Sequence, residues 1–134
     1  MGVGAYLKER NPSVQVLAVE PPAGEMVDGL RSLDDGFIPP VYEKWGGDQL
    51  LDGKRIVRPR ESIKWTRRLA EEAGIFAGIS TGAALAGAAR VAERTDEGAV
   101  VVVSADGGWK YLSTGAWTDP IDEVTARAES IIYF

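Results

Sequence analysis

The chain contains no cysteine and no histidine. Without cysteine there are no disulfides, thiolate metal sites or thiol nucleophiles, and the redox compartment leaves no mark. Without histidine, every mechanism that needs an imidazole as base, proton shuttle or metal ligand is closed to this chain acting alone. A metal site would have to be built from carboxylates, and no loop clusters them. Long apolar runs are also missing: the longest Val-rich stretch covers residues 99–103, against the ~20 residues that span a bilayer. Residues 1–11 hold Lys8, Glu9 and Arg10 and have no apolar core, so they do not read as a secretory signal. Tyr6 stands where a myristoylation signal needs Ser or Thr, and Pro12 blocks the only step towards a glycosylation sequon at Asn11-Pro12-Ser13. Positive charge is in deficit, with 15 Lys and Arg against 20 Asp and Glu. A net charge of −5 repels phosphate backbones and anionic lipid, so nucleic acid and membrane surfaces are excluded as expected partners. The expected location is cytoplasmic.

What is present suits a folded chain: 134 residues, 45% apolar and 26% charged, are expected to form a single domain over residues 1–134. Residues 4–10 are helical in character and stop at Asn11-Pro12, because proline disfavours helix in the residue before it. Residues 13–20 read as a strand ended by Pro21-Pro22. Residues 25–53 are loop-rich and too long for an idle connection, so short elements or a functional loop are expected there. A second strand is expected over residues 54–58. The helix of residues 61–73 follows, with Pro59 in its first turn and Gly74 closing it. After a brief apolar run at 75–78, an Ala-rich helix is expected over 81–93. Residues 99–104, with four consecutive Val, read as a strand buried on both faces. This order is an α/β pattern with right-handed crossovers. The first residues resemble the tail of a helix, for they lack the cap and acidic first turn that usually open one.

Three stretches carry possible chemistry. Gly78-Ile79-Ser80-Thr81-Gly82 matches the Gly-x-Ser-x-Gly of a nucleophile elbow. In that architecture a catalytic His follows the Ser, and none of the 54 residues after Ser80 is His. The hydrolase reading therefore fails. The same turn suits ligand binding: glycines allow close backbone approach, the helix start offers free N–H groups, and Ser80 can donate to a ring nitrogen. The plainer alternative is that Ser80 or Thr81 only caps the helix. Secondly, Ala105-Asp106-Gly107-Gly108-Trp109-Lys110-Tyr111 sits at a strand end, where open α/β sheets bind ligands, or is simply a turn with core aromatics. Thirdly, Gly29-Leu30-Arg31 places an arginine fork suited to a carboxylate or phosphate beside Asp34-Asp35-Gly36, although loop arginines are commonly just solvated.

Taken in order, residues 72–83 (Glu-Ala-Gly-Ile-Phe-Ala-Gly-Ile-Ser-Thr-Gly-Ala) and residues 105–115 (Ala-Asp-Gly-Gly-Trp-Lys-Tyr-Leu-Ser-Thr-Gly) closely resemble the C-terminal half of cysteine synthases. These are fold-type II enzymes dependent on pyridoxal 5'-phosphate (PLP). The stretch Gly-Trp-Lys-Tyr-Leu-Ser-Thr-Gly is narrower and points to the cysteine synthase B and O-phosphoserine sulfhydrylase branch. The resemblance implies an α/β fragment of the open, mostly parallel-sheet large domain of the tryptophan synthase beta-like PLP-dependent fold. It implies an enzyme portion that replaces the β-substituent of an activated serine, O-phosphoserine or O-acetylserine, by sulfur through an aminoacrylate in cysteine biosynthesis. Ser80 would bond the cofactor's pyridine nitrogen, with Gly78 and Gly82 permitting close approach, and Arg31 would grip the substrate's leaving phosphate. The sulfur source would be sulfide or a thiocarboxylated carrier protein, and the full-length enzyme a homodimer. The end of the chain, Ile131-Ile132-Tyr133-Phe134, would fold over the site.

The departures count too. The family's Schiff-base lysine, its asparagine loop for the substrate carboxylate and its Gly/Thr-rich phosphate loop all belong upstream of Met1. None of Lys8, Lys44, Lys54, Lys64 and Lys110 stands in the family's lysine context. The expectation is that this chain alone holds no PLP covalently and does not catalyse. Cutting a parallel sheet through its middle would also leave open strand edges and favour aggregation. The competing reading, from the residues alone, is a small non-catalytic α/β module that binds an anion or nucleotide at the Gly78–Gly82 turn.

Overall fold

The computed structural model describes residues 1–130. The expected role of Ile131 to Phe134 as a cover lies outside them. Helix α1 (Gly2–Arg10) ends where Asn11 turns extended ahead of Pro12. Strand β1 (Leu17–Glu20) pairs in parallel with β2 (Gly53–Ile56), Leu17 opposite Gly53 and Glu20 opposite Ile56. The long connection between them carries a 3-10 turn at Leu33–Asp35 and two short helices, α2 (Pro40–Lys44) and α3 (Gly47–Leu50). It is pinned to the sheet through Glu20. That buried carboxylate accepts from the Leu33 N–H at 3.0 Å and meets Lys54 Nζ at 3.0 Å. Pairing of this kind is what makes a buried charge tolerable.

Helix α4 (Pro59–Ala73) begins with proline at its first position, where the missing N–H costs nothing. It closes on Gly74 at φ 68°, with the Gly74 N–H returning to the Ala70 carbonyl at 3.1 Å, an αL closure that needs the left-handed region. Helix α5 (Ile79–Ala92) packs along α4, and α6 (Ile121–Ser130) packs on the other side of α4. The core is one cluster: Val27, Val57, Ile63, Ile79, Ala83, Ala86, Ala116 and Val124. Among the described residues, no helix is long and apolar enough to cross a membrane.

One expectation is overturned. Residues 99–104 form no strand: Val101 is 88% exposed and Val103 75% exposed. A Val-rich segment becomes a buried strand only when neighbours supply ladder bonds on its edges and side chains on its faces. Among the described residues β1 pairs with β2 alone, and a groove lies between β1 and the Val run.

The α4–α5 contact turns on Gly82. A Cβ there would overlap Thr66 Oγ1 and the Ser62 carbonyl oxygen. Gly82→Ala would gain up to about 1 kcal/mol of helix propensity, but overpacking against fixed backbone costs about 1–3 kcal/mol. The expected result in a urea melt is net destabilisation of about 1–2 kcal/mol. Gly87→Ala is the internal comparison. Its Cβ meets Val19 Cγ2 at 3.0 Å and Arg55 Cβ at 3.3 Å, side chains that can yield, so it should be close to neutral.

Candidate functional site

The first turn of α5 is held from below. Ser62 Oγ donates to the Ile79 carbonyl at 2.6 Å, and Thr66 Oγ1 donates to the Ser62 carbonyl at 2.9 Å, all of it buried. From the side, the turn is stitched to the segment after the Val run: the Gly78 N–H donates to the Asp106 carbonyl at 2.9 Å and the Gly108 N–H to the Phe76 carbonyl at 3.1 Å. Thr81 Oγ1 lies 3.1 Å from Ser104 Oγ. Thr81 is therefore committed to structure.

Ser80 is not. It is 8% exposed, lines the groove, and among the described residues its hydroxyl has no hydrogen-bond partner. No side-chain bond caps α5, which disposes of the view that Ser80 is only a helix cap. The turn offers less to an anion than its sequence suggests, because the N–H groups of Gly78 and Thr81 are spent on the Asp106 and Gly78 carbonyls.

The Asp106 carboxylate lies against the turn. Asp106 Oδ2 accepts from the Tyr111 hydroxyl at 2.8 Å, while Asp106 Oδ1 is buried with no partner among the described residues. It lies where a side chain at Gly78 would be, so the bareness of Gly78 makes room for Asp106. Gly82 likewise makes room for α4. The close approaches these two glycines permit in the structure are between protein and protein, which sequence reasoning had assigned to a ligand. Burial pushes the Asp28 carboxyl above the usual carboxylate range. Burial and the hydrogen bond to Asp106 push the Tyr111 phenol up to about 12.

Arg31 comes near but stays separate. Gly29, two residues before it, has φ 85°, and a side chain there would sit 3.5 Å from both Ser80 Oγ and the Tyr111 hydroxyl. Arg31 itself is exposed and lines a cavity of about 550 Å³ with Asp28, Ser32 and Phe37. Ser80 lines the neighbouring groove of about 780 Å³, and Leu30 is common to both. Ser32 and Asp34, beside Arg31, are structural: Ser32 Oγ accepts from the Asp34 N–H, and Asp34 pairs with Lys54. Of the second stretch, Trp109 is 66% exposed and Tyr111 packs on the core. Sequence reasoning gave no role to Asp28, Asp106 or Tyr111 as a group. A bare Asp-Gly-Gly turn followed by Tyr five residues after the Asp was the available signal. Among the described residues no three Asp or Glu gather as a metal site.

Comparisons with known proteins agree with this geometry. Residues 1–107 match the family described as "Pyridoxal-phosphate dependent enzyme". Cysteine synthase B of Pseudomonas aeruginosa is 36% identical over 120 residues, covering 90% of this chain and 38% of that protein. The crystal structure of O-ureido-L-serine synthase superposes with a TM-score of 0.74 at 35% identity, covering 87% of this chain and 38% of that one. That of the O-acetylserine dependent cystathionine beta-synthase from Helicobacter pylori gives a TM-score of 0.68 at 34% identity, with 87% and 39% covered. The chain thus spans well under half the length of the relatives it matches.

The Tyr111 phenol gives a test of the site's geometry. Its pKa is raised in the fold, so the stability it contributes is complete below the ordinary tyrosine value near 10 and is lost as pH rises through about 12. Tyr111→Phe should therefore flatten the fall in stability between those limits, measured by urea melts at stepped pH. It should also remove the latest phase of tyrosinate absorbance.

Proposed function

Because the chain belongs to the pyridoxal-phosphate dependent enzyme family, we propose that it is the portion of a cysteine synthase in which Ser80 bonds the pyridine nitrogen. The activity proposed for the whole enzyme is replacement of the β-substituent of an activated serine by sulfur. One observation carries the proposal: a hydroxyl at the head of a helix, in the lining of a groove and without a partner among the described residues, while its neighbours Thr81 and Tyr111 are bonded elsewhere. When bound, the cofactor supplies the electron sink for bond-breaking at the substrate's β-carbon. What this chain adds is the polarity of the nitrogen's partner. A neutral hydroxyl does not hold a proton on the ring as a carboxylate would, so the sink is weaker and β-replacement is favoured over transamination. Of the two Asp106 oxygens, Oδ2 is taken by the Tyr111 hydroxyl and Oδ1 is buried against Gly78.

Arg31 is proposed to meet the substrate. It faces an open cavity, and among the described residues no carboxylate pairs with it. A guanidinium free to fork onto a phosphate favours O-phosphoserine over O-acetylserine. Sulfide or a thiocarboxylated carrier protein as sulfur donor, and a homodimer for the full-length enzyme, belong to the same reading. So does a cytoplasmic setting. The alternative of a non-catalytic anion or nucleotide module is disfavoured by the spent N–H groups and by the Asp106 carboxylate against Gly78.

The test uses 4'-deoxypyridoxine 5'-phosphate, which has no aldehyde to react with lysines. Titrated into the chain and followed by amide shifts over residues 78–83, it is expected to bind with an affinity that Ser80→Ala lowers about fivefold, one hydrogen bond's worth. The helix is uncapped by this side chain, so the variant keeps its fold. Equal affinity in wild type and variant overturns the proposal. Arg31→Gln should leave that affinity unchanged and abolish the shifts that O-phosphoserine induces over residues 28–33. If adenosine monophosphate or inorganic phosphate competes at the Gly78–Gly82 turn, the binding-module reading is the correct one.

A further inference from the structure

Arg31 sits in a frame of tied neighbours. After it, Ser32 Oγ accepts from the Asp34 N–H at 3.2 Å, the Leu33 N–H donates to Glu20, Asp34 meets Lys54 at 3.3 Å, and Asp35 Oδ1 accepts from the Gly24 N–H at 2.9 Å. Before it, the Leu30 N–H closes on the Val27 carbonyl at 2.8 Å, with Gly29 at φ 85° inside that turn. Glu20 anchors the frame. Its side chain, at the end of β1, is 3% exposed and holds the Leu33 N–H and Lys54 Nζ, each at 3.0 Å. The Lys54 ammonium thus stands between a buried carboxylate and an exposed one, that of Asp34.

An exposed ion pair is ordinarily worth little, because two long side chains must be ordered to make it. Lys54 is already ordered by Glu20, so Asp34 meets a cation fixed in place. Charge around the pair acts in the same direction. Asp34 lines a hollow of about 320 Å³ with Glu43 and Asp48, and Lys54 is the only cation in that lining among the described residues. Without the ammonium, Asp34 would face like charges there. Arg31 is three residues away along the chain and lines the neighbouring cavity, with Leu33 common to both. It would be the next cation for Asp34 to seek.

We propose that Lys54, fixed by Glu20, is a positioning residue for the anion hold at Arg31: it keeps Asp34 in its own hollow and so leaves the guanidinium open to a phosphate. The proposal rests on the reading of Arg31 given above and deepens it. The anion preference of the Arg31 cavity is then set from β1 and β2, by two residues outside its lining. Asp28, which does line that cavity, makes no ion pair with Arg31 among the described residues and lies outside the reach of this device.

The experiment replaces the pair by neutral side chains of similar size, Glu20→Gln with Lys54→Met, a change that buried ion pairs tolerate and that leaves Leu33 an acceptor. O-phosphoserine is titrated into the full chain and followed by amide shifts over residues 28–33. The double variant is expected to bind about fourfold more weakly, an exposed ion pair's worth, and adding Asp34→Asn should return the wild-type affinity. Asp34→Asn alone should change it by less than about twofold, since Lys54 already holds that carboxylate. A role in packing alone would not be undone by a third substitution that restores no contact. Wild-type affinity in the double variant overturns the proposal, and so does a triple variant that stays weak. Should the double variant not fold, Lys54→Gln, whose amide can still donate to Glu20, is read in its place with the same expectations. With no ligand present, the Arg31 Nε–H should exchange with water more slowly in the double variant and at the wild-type rate in the triple; unchanged exchange in the double variant overturns the proposal whatever the ligand does. Arg31→Gln addresses the other reading. If it binds O-phosphoserine as wild type does, the substrate role of Arg31 fails, while the pairing read at Nε–H stands or falls by itself.

Discussion

The seating of α5 on α4 is the contact from which the site takes its geometry. Where Gly82 crosses the Ser62–Thr66 turn, backbone lies against backbone, and this brings the Ile79 carbonyl within 2.6 Å of the Ser62 hydroxyl. That carbonyl belongs to the residue before Ser80. A buried hydroxyl bonded to it contributes about 1 kcal/mol when made, but leaving either group unpaired in the core costs about 1–3 kcal/mol. The asymmetry makes the arrangement stiff: α5 cannot rotate to carry Ser80 elsewhere without stranding Ser62. A neutral hydroxyl pair, Ser62 and Thr66, deep in the helix interface thus fixes the direction of Ser80 at the groove.

Asp106 plays the matching part on the other flank. Its carbonyl accepts from Gly78 and its side chain from Tyr111, whose hydroxyl stands beside Gly29. Through this one residue the α5 turn, the 3-10 helix Gly108–Thr114 and the loop before Arg31 share a corner. Proximity of Ser80 and the Arg31 loop is therefore a consequence of packing. The two residues still open into different hollows with Leu30 between them, an arrangement suited to holding two parts of one ligand assembly apart.

Helices α1, α4 and α5 and the parallel strand pair were legible in the sequence because their signals are local, whereas α6 was not read. Pro59 and Gly74 bracket α4 by fixed dihedral preferences, Asn11-Pro12 stops α1, and the unusually long stretch after Pro21 did hold short helices. Ser80 was legible as a candidate because glycine-serine-glycine before an apolar helix is a contiguous pattern. The Val run was misread for an instructive reason. Its composition specifies a strand, yet a strand is a property of at least two segments, and a sequence states only one partner's willingness. The protein-facing roles of Gly78 and Gly82 were not legible for a related reason. A glycine announces that something comes close, and only coordinates say that the something is Asp106 or Thr66.

Charge decides what kind of atom the Ser80 corner can receive. A helix start ordinarily favours an anion through its free N–H groups and dipole. At α5 that preference is weakened locally: the N–H groups of Gly78 and Thr81 are consumed, and the Asp106 carboxylate lies against Gly78. A phosphate placed here would meet that carboxylate at short range in a partly desolvated setting, where repulsion is far stronger than in water. An uncharged acceptor such as a ring nitrogen meets no such penalty and finds a hydroxyl with nothing else to bond. The cavity at Arg31 has the reverse character, an exposed guanidinium with no carboxylate paired to it among the described residues. On the function proposed above, the Ser80 corner would take the uncharged ring nitrogen and Arg31 the anionic leaving group.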